Sequence, residues 1–307
     1  METNREFIEQ RMRDLQSSII AELELADGDG KFSSDYWSHS EQGGGLTRVL
    51  RNARVIEKGG VNFSAVSGKL SPKAARSLEM ETETFFATGV SIVMHPSNPH
   101  VPIIHMNVRY FEGDDGMYWF GGGIDLTPHY VVEEDAIDFH KKLKAVCDQY
   151  ESGFYSEFKK WADDYFFITH RNETRGIGGI FFDRLSHKNR SLSKNELAEF
   201  VFSVGHSFAP IYVGLMNKYA TKAFSANEKK WQLIRRGRYA EFNLAIDRGT
   251  RFGLETGGRT ESILMSLPAE AHWEYNYSPE KNSLEERTLS FLKKGINWVD
   301  YSVNEDR

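Results

Sequence analysis

The segment from Ser91 to Pro128 restricts the fold more than any other part of the sequence. In the stretch IIHMNVRYF, His105, Asn107 and Arg109 alternate with Ile104, Met106, Val108 and Tyr110. Strict alternation is the period of a β-strand, so the imidazole, amide and guanidinium share one face and the apolar side chains take the other. The turn-forming run Glu112-Gly113-Asp114-Asp115-Gly116 follows, which predicts a hairpin and a second strand returning alongside the first. That strand carries Trp119, Phe120, three consecutive glycines and Asp125. Glycines inside a strand let a flat ligand or another backbone approach closely. A proton carrier, an amide and a guanidinium projecting together suit an anionic ligand better than they suit a core.

Around this segment the pattern is mixed. Thr3-x-x-Glu6 reads as a capping box opening a helix on Ile8, Met12, Leu15, Ile19 and Leu23, which ends near Asp27-Gly28. Asp27-Gly28-Asp29-Gly30 lacks the acidic twelfth ligand of a calcium loop, since Ser38 stands there, and reads as a plain loop. Gly43-Gly44-Gly45 also reads as a loop, without the strand–turn–helix setting of a phosphate cradle. Residues 55–120 read mostly as strands and hairpins, residues 133–168 as two helices and residues 176–182 as a glycine-rich strand. Ser193-x-x-Glu196 and Ser225-x-x-Glu228 open two more helices, the second closed by Gly237 as a C′ glycine. Tyr239–Ile246 and Ser262–Leu267 read as strands, and Ser283-x-x-Glu286 opens a final helix. Strands in two groups separated by helices predict an α+β fold, with an antiparallel or mixed sheet covered by helices. No linker, repeat or low-complexity run divides residues 1–307, which read as a single domain.

The chain has 307 residues, 38 Lys plus Arg and 44 Asp plus Glu, a net charge of −6 that argues against a general nucleic-acid or membrane-surface binder. Cys147 is the single cysteine, so no intrachain disulfide forms. The start METNREFIEQRM has no apolar core of a signal sequence and is not acid-poor. No apolar run approaches the ~20 residues of a membrane span. A cytoplasmic protein is expected. The aromatic share of 13% fits a Phe-rich core, a large flat pocket, or both.

The segment resembles the oxygen-dependent coproporphyrinogen III oxidases of haem biosynthesis. The resemblance continues through GGVNFSAVSG from Gly59, YFFITHRNETRGIGGIFFD from Tyr165 to Asp183, RRGRYAEFN from Arg235 to Asn243, DRGTRFGL from Asp247 to Leu254 and GGRTESILMSLP from Gly257 to Pro268. It implies a large antiparallel β-sheet flanked by α-helices on both faces, assembled as a homodimer. It also implies the oxidative decarboxylation of two propionates of coproporphyrinogen III to vinyl groups, giving protoporphyrinogen IX. Dioxygen is the co-substrate, and no metal or organic cofactor is required.

A reduced tetrapyrrole with four propionates makes three demands. Its carboxylates need guanidinium forks, its pyrrole N–H groups need an acceptor and its flat body needs an apolar wall. Arg109, Arg175, Arg248, Arg251 and Arg259 are candidates for the first, with Ser91, Asn107, Val108, Gly257 and Gly258 implied beside them as substrate-binding positions. Asp125 and Asp247 are candidates for the second, though Asp247 equally suits a turn. Trp119, Phe120, Phe181 and Phe182 are candidates for the wall. His105, sharing a face with Arg109, is the best general acid, and His105, Asp125 and Asp247 make up the expected catalytic set. A divalent metal, if one is bound, would use His95, His105, His140 and His170, whose spacing matches no compact metal motif; each is equally a core histidine. Arg184 stands where many relatives carry a second acid after Asp183, and Ala245-Ile246 where they often carry a bulkier pair. Three rival readings stay open. They are a metal-dependent non-haem oxygenase, a nucleic-acid binder on Arg235, Arg236, Arg238, Arg248 and Arg251, and a tetrapyrrole carrier without turnover.

Overall fold

A seven-stranded antiparallel sheet is built around the expected hairpin. The structure, a computed structural model, describes residues 3–39, 42–70, 82–255 and 257–303. In chain order the elements are α1 (Arg5–Asp27), β1 (Ser33–Ser38), β2 (Gln42–Arg51), β3 (Ile56–Lys69), β4 (Thr84–Pro96), β5 (Ile103–Gly113), β6 (Tyr118–Thr127), α2 (Glu133–Asp148), α3 (Phe154–Tyr165), β7 (Phe167–Ile168), β8 (Glu173–Thr174) and β9 (Gly179–Leu185). There follow α4 (Lys194–Tyr219), α5 (Ala226–Glu241), a π-helical turn (Phe242–Ile246), α6 (Arg248–Glu255), α7 (Thr260–Leu264) and α8 (Leu284–Phe291). The sheet order is β1-β2-β3-β4-β5-β6-β9, and β7 pairs only with β8. The α+β expectation holds, with the sheet antiparallel throughout.

Alternation separates the two faces. Val90, Ile92, Met106, Val108, Tyr110, Phe120 and Ile124 are buried in the main core together with Phe200, Val204 and Phe208 of α4. From α1, Ile8, Met12, Leu15, Ile19 and Leu23 join them, the helical face read from the sequence. Each such side chain contributes about 1.5–3 kcal/mol when fully buried. The opposite face is covered in part, by α5 and the turn after α7. Tyr239 packs on Val93 and Ile103, Gln232 donates to Pro96 O, and Lys58 reaches Leu267 O beyond α7. Along the β9 edge, α3 serves both faces: Phe158 packs tilted against Phe182 in the main core, and Trp161 meets Phe181 on the other side.

Five local readings are corrected. The N-cap of α1 is Asn4, whose side chain accepts from Phe7 N, while Thr3 bonds Asn195 instead. Gly43–Gly45 is not a loop but the start of β2, paired with β1 and β3. The glycine-rich strand starts three residues late, at Gly179, and runs on to Leu185. Gly237 does not end α5. It sits within the helix because a Cβ there would lie 2.4 Å from His272 O, so the residue admits a crossing segment. The stretch Tyr239–Ile246 is helical, and Ser262–Leu267 is the end of α7 followed by a turn; neither is a strand. Phe242 and Asn243 are buried while Leu244 is 51% exposed, so the apparent apolar alternation had no face to serve. Asn243 bonds back to Tyr239 O and Asp247 N closes an i→i−5 bond on Phe242 O, the extra residue of a π-turn. The capping boxes at Ser193 and Ser225 and the Ser283 cap are present as read.

Candidate functional site

Register carries the polar residues into rows on the face away from α1 and α4. Pairing through β3, β4, β5, β6 and β9 aligns Asn62, Ser91, Asn107, Gly123 and Phe181. One row on, Gly60, Val93, His105, Asp125 and Gly179 align. On the other side, Gly89, Arg109 and Gly121 form the third row. Val108 belongs to the opposite face and is fully buried there, so its side chain does not reach this surface. The same parity splits the proposed aromatic wall. Phe120 and Phe182 lie in the main core, whereas Phe181 faces the rows and Trp119 stacks on Phe111, centroids 4.2 Å apart.

At the row of His105 stands a buried charge pair. Asp125 is 1% exposed and accepts from the Nη2–Nε edge of Arg175, with Nη2 at 2.6 and 2.7 Å and Nε at 3.2 Å. The guanidinium lies over the rings of Phe166, Tyr239 and Phe242, 4.4–4.6 Å from their centroids. Burial would raise the Asp125 carboxyl, but the Arg175 charge and the His105 hydrogen bond outweigh it and hold the group below the usual carboxylate range. His105 Nδ1 lies 2.8 Å from Asp125 Oδ1. An ionised carboxylate only accepts, so Nδ1 donates and Nε2 of the neutral ring is left as an acceptor. His105, 24% exposed, therefore stands between the open face and the buried pair. Arg175, expected as a propionate ligand, is buried with its Nη2–Nε edge on Asp125.

The other residues ring this centre. Arg109 donates Nη1 to Asn107 Oδ1 at 2.7 Å and pairs with Asp183 through Nη2 at 2.9 Å. Asp247 takes the turn position expected of it, as the cap of α6: Oδ2 accepts from Thr250 N and Oγ1, and Oδ1 accepts from Tyr165 OH at 2.6 Å. Burial pushes this carboxyl up, and these three bonds with the Arg175 charge bring it below its ordinary value. Tyr165 stacks on Phe181, centroids 4.1 Å apart, and Arg248 lies over its ring. Across the sheet, Arg259 pairs with Asp35 and donates to Ser262 Oγ, which meets Thr47 of β2. Gly257 and Gly258 lie in the exposed connection between α6 and α7. A separate cavity of about 630 Å³, bordered by Arg5, Arg13, Tyr36 and Leu46, opens beside the N-terminal end of α1 and touches none of these groups.

The four histidines named for a metal are dispersed. His95 bonds Ser266 O, His140 sits between Tyr155 OH and Ile177 O, and His170 pairs with Glu241. Burial, with the Arg236 charge in the case of His95, pushes His95 and His140 down to about 3, neutral core residues. No group of three or more His, Cys, Asp or Glu side chains able to hold a metal occurs among the described residues. Nor do the five arginines share one exposed surface, since only Arg248 and Arg251 are exposed. Arg235, Arg236 and Arg238 are buried and paired with Glu173, Glu57 and Glu241. Sequence reasoning missed Tyr165 and Asp183 as site residues, although both lie inside matched blocks. Tyr165 only opens one of those blocks, and Asp183 only precedes the departure at Arg184.

No helix among the described residues is long and apolar enough to cross a membrane. The chain is 47% identical to the oxygen-dependent coproporphyrinogen-III oxidase of Drosophila melanogaster, over 97% of this chain and 79% of that one. It is 49% identical to the protein of Homo sapiens named oxygen-dependent coproporphyrinogen-III oxidase, mitochondrial, over 92% of this chain and 65% of the other. A chloroplastic counterpart of Glycine max is 45% identical over 95% and 78%. A family model described as coproporphyrinogen III oxidase matches residues 7–298, so the sheet, its polar face and the residues ringing it belong to a member of the coproporphyrinogen III oxidase family.

Proposed function

We propose that this protein is an oxygen-dependent coproporphyrinogen III oxidase, converting two propionates of its substrate to vinyl groups and giving protoporphyrinogen IX. The observation that carries the reading is His105 braced by the buried Asp125–Arg175 pair, on the same sheet face as Asn107 and Arg109. Each round balances as propionic acid plus dioxygen giving vinyl, carbon dioxide and hydrogen peroxide. The porphyrinogen is itself electron-rich, so the protein supplies position, a proton acceptor and charge.

Arg109 takes one propionate in its fork, with Asn107 holding the guanidinium plane. Arg248 and Arg259 border the same face from α6 and α7 and serve other propionates, beside Ser91 and the Gly257-Gly258 backbone. His105 Nε2 takes the proton of a pyrrole N–H, and the fixed negative charge of Asp125 stabilises the resulting imidazolium. Asp247, ionised and held by Tyr165, balances the positive charge that develops as the ring loses electrons. Phe181 and Tyr165 form the apolar wall.

The reading needs no metal and no organic cofactor, with dioxygen as the co-substrate. It includes a homodimer, in which the exposed Leu244, Phe252 and Leu254 gain cover. It includes residence in the cytoplasm, in keeping with a single buried free thiol and to be tested by cell fractionation, because the human and soybean relatives carry organellar names. The reaction is tested by giving the purified, chelator-treated protein fresh coproporphyrinogen III in air and separating the products by chromatography. Protoporphyrinogen IX is the expected product. A folded protein that forms none overturns the reading, and activity lost to the chelator and restored by a divalent ion would favour the metal-dependent alternative.

A further inference from the structure

Three Arg–Asp pairs lie on the site face, and they differ in exposure. Arg175 and Asp125 are each 2% exposed. Arg109 and Asp183 are 35% and 32% exposed, and Arg259 and Asp35 are 28% and 53% exposed. Opening a buried pair strands a charge, whereas a half-exposed pair contributes little and exchanges readily for another carboxylate. The fork of Arg109 is thus already occupied by an acid of the same chemistry as the ligand it is read to bind.

Three features converge on this pair. Asn107 Oδ1 holds the other guanidinium nitrogen, so the plane of Arg109 stays in place when Asp183 lets go. Gly121 lies beneath, where a Cβ would be 2.5 Å from Asp183 Oδ1 and 2.8 Å from Arg109 Nε. Arg184, next to the acid, has φ +53°, uncommon for a residue with a side chain, and its N–H donates to Asp183 Oδ1 at 3.0 Å. The backbone there is bent to aim the carboxylate across β6.

We propose that Asp183 is an internal placeholder carboxylate. It occupies Arg109 in the free enzyme, yields to a substrate carboxylate on binding and re-forms its pair as product leaves. This rests on the reading that Arg109 binds a propionate. Asp183 touches no reacting atom and acts through Arg109 as a positioning residue. Its effect is to weaken substrate binding without changing the chemical step, and to spare Arg109 an unpaired state once the ligand departs.

The test uses coproporphyrin III, the oxidised tetracarboxylate that cannot react, titrated by quenching of tryptophan fluorescence. Asp183→Asn keeps the shape and removes the charge. It binds the probe about fivefold tighter, the scale of a half-exposed ion pair. KM for coproporphyrinogen III falls by a similar factor while kcat does not rise. Arg109→Ala weakens the probe at least ~10-fold, and adding Asp183→Asn to it brings no further gain. If Asp183→Asn binds equally or more weakly in a protein with parental circular dichroism, the placeholder idea is wrong and Asp183 merely orients Arg109. If the gain persists without Arg109, Asp183 acts by general repulsion and the idea is again overturned. If Arg109→Ala binds the probe like the parent, the propionate reading of Arg109 falls and the placeholder falls with it.

Discussion

Replacing Asp125 removes more than the partner of His105. Arg175 keeps its charge, is 2% exposed, and has Asp125 as the carboxylate that it grips. The three rings over its guanidinium offset only part of the lost partner. Breaking a buried pair by removing one member costs about 3–5 kcal/mol, while replacing both members by apolar groups of similar volume is close to neutral. Against a total stability of about 5–15 kcal/mol, Asp125→Leu is a severe change. At about 2–4 °C per kcal/mol for a chain of this order of size, it should lower the melting temperature by roughly 6–20 °C. Asp125→Leu/Arg175→Met should recover most of that loss. Both variants should remain inactive, because His105 loses the acceptor that sets its tautomer. Calorimetry of parent, single and double variants, with turnover measured on each, checks the account. A single variant melting within ~2 °C of the parent, or a double variant no more stable than the single, would refute the reasoning.

Asp247→Asn should lower turnover at least ~100-fold, and Tyr165→Phe, which removes one of three bonds to the same carboxylate, should lower it by about 10-fold; equal activity in both would return Asp247 to a helix cap. Arg109→Lys should raise KM and lower kcat together, since lysine keeps the charge and loses the planar fork; steady-state kinetics matching the parent would exclude a bidentate role. His95 and His140 are held at about 3 in the fold against ~6.5 when unfolded. Below ~6.5 the unfolded chain therefore takes up protons the native one refuses, and stability falls as pH drops. From pH 6 to pH 5 the two together should remove roughly 2 kcal/mol, read from denaturant midpoints, and unchanged midpoints would show these rings to be protonated in the fold. Light scattering should give about twice the chain mass, and Leu244→Glu should shift it toward monomer; a monomeric parent ends the dimer proposal.

The hairpin and its faces were legible because alternation and turn chemistry act over a few residues. The strict period from Ile104 to Tyr110 appears as the burial pattern of β5. The turn signal was less sharp on register. Centred at Asp114, it would have set Gly123 opposite His105, whereas the hairpin centres one residue later and sets Asp125 there. That single step creates the imidazole–carboxylate pair. Arg175 could be named from its block but not paired, because it meets Asp125 across 50 residues of chain through the edge strand and the loop before it. Asp183 was unreadable as a partner of Arg109 for the same reason. The region after Gly237 failed for a different one. A glycine, then Phe242, Leu244 and Ile246 in alternation, is good local evidence for a helix stop and a strand. The glycine instead admits His272, and the burial of Phe242 against Arg175 fixes a π-turn that no local period announces.

The most direct test of the central claim is a single turnover begun without oxygen. Protein and coproporphyrinogen III are mixed anaerobically, held, and then exposed to a measured amount of dioxygen, with carbon dioxide, oxygen uptake and porphyrin products quantified. The account predicts no decarboxylation before oxygen enters. Afterwards, two carbon dioxide should be released and two dioxygen consumed for each protoporphyrinogen IX formed. Product appearing before air, or binding with no decarboxylation after it, would contradict the account, the second outcome leaving a carrier in place of an enzyme.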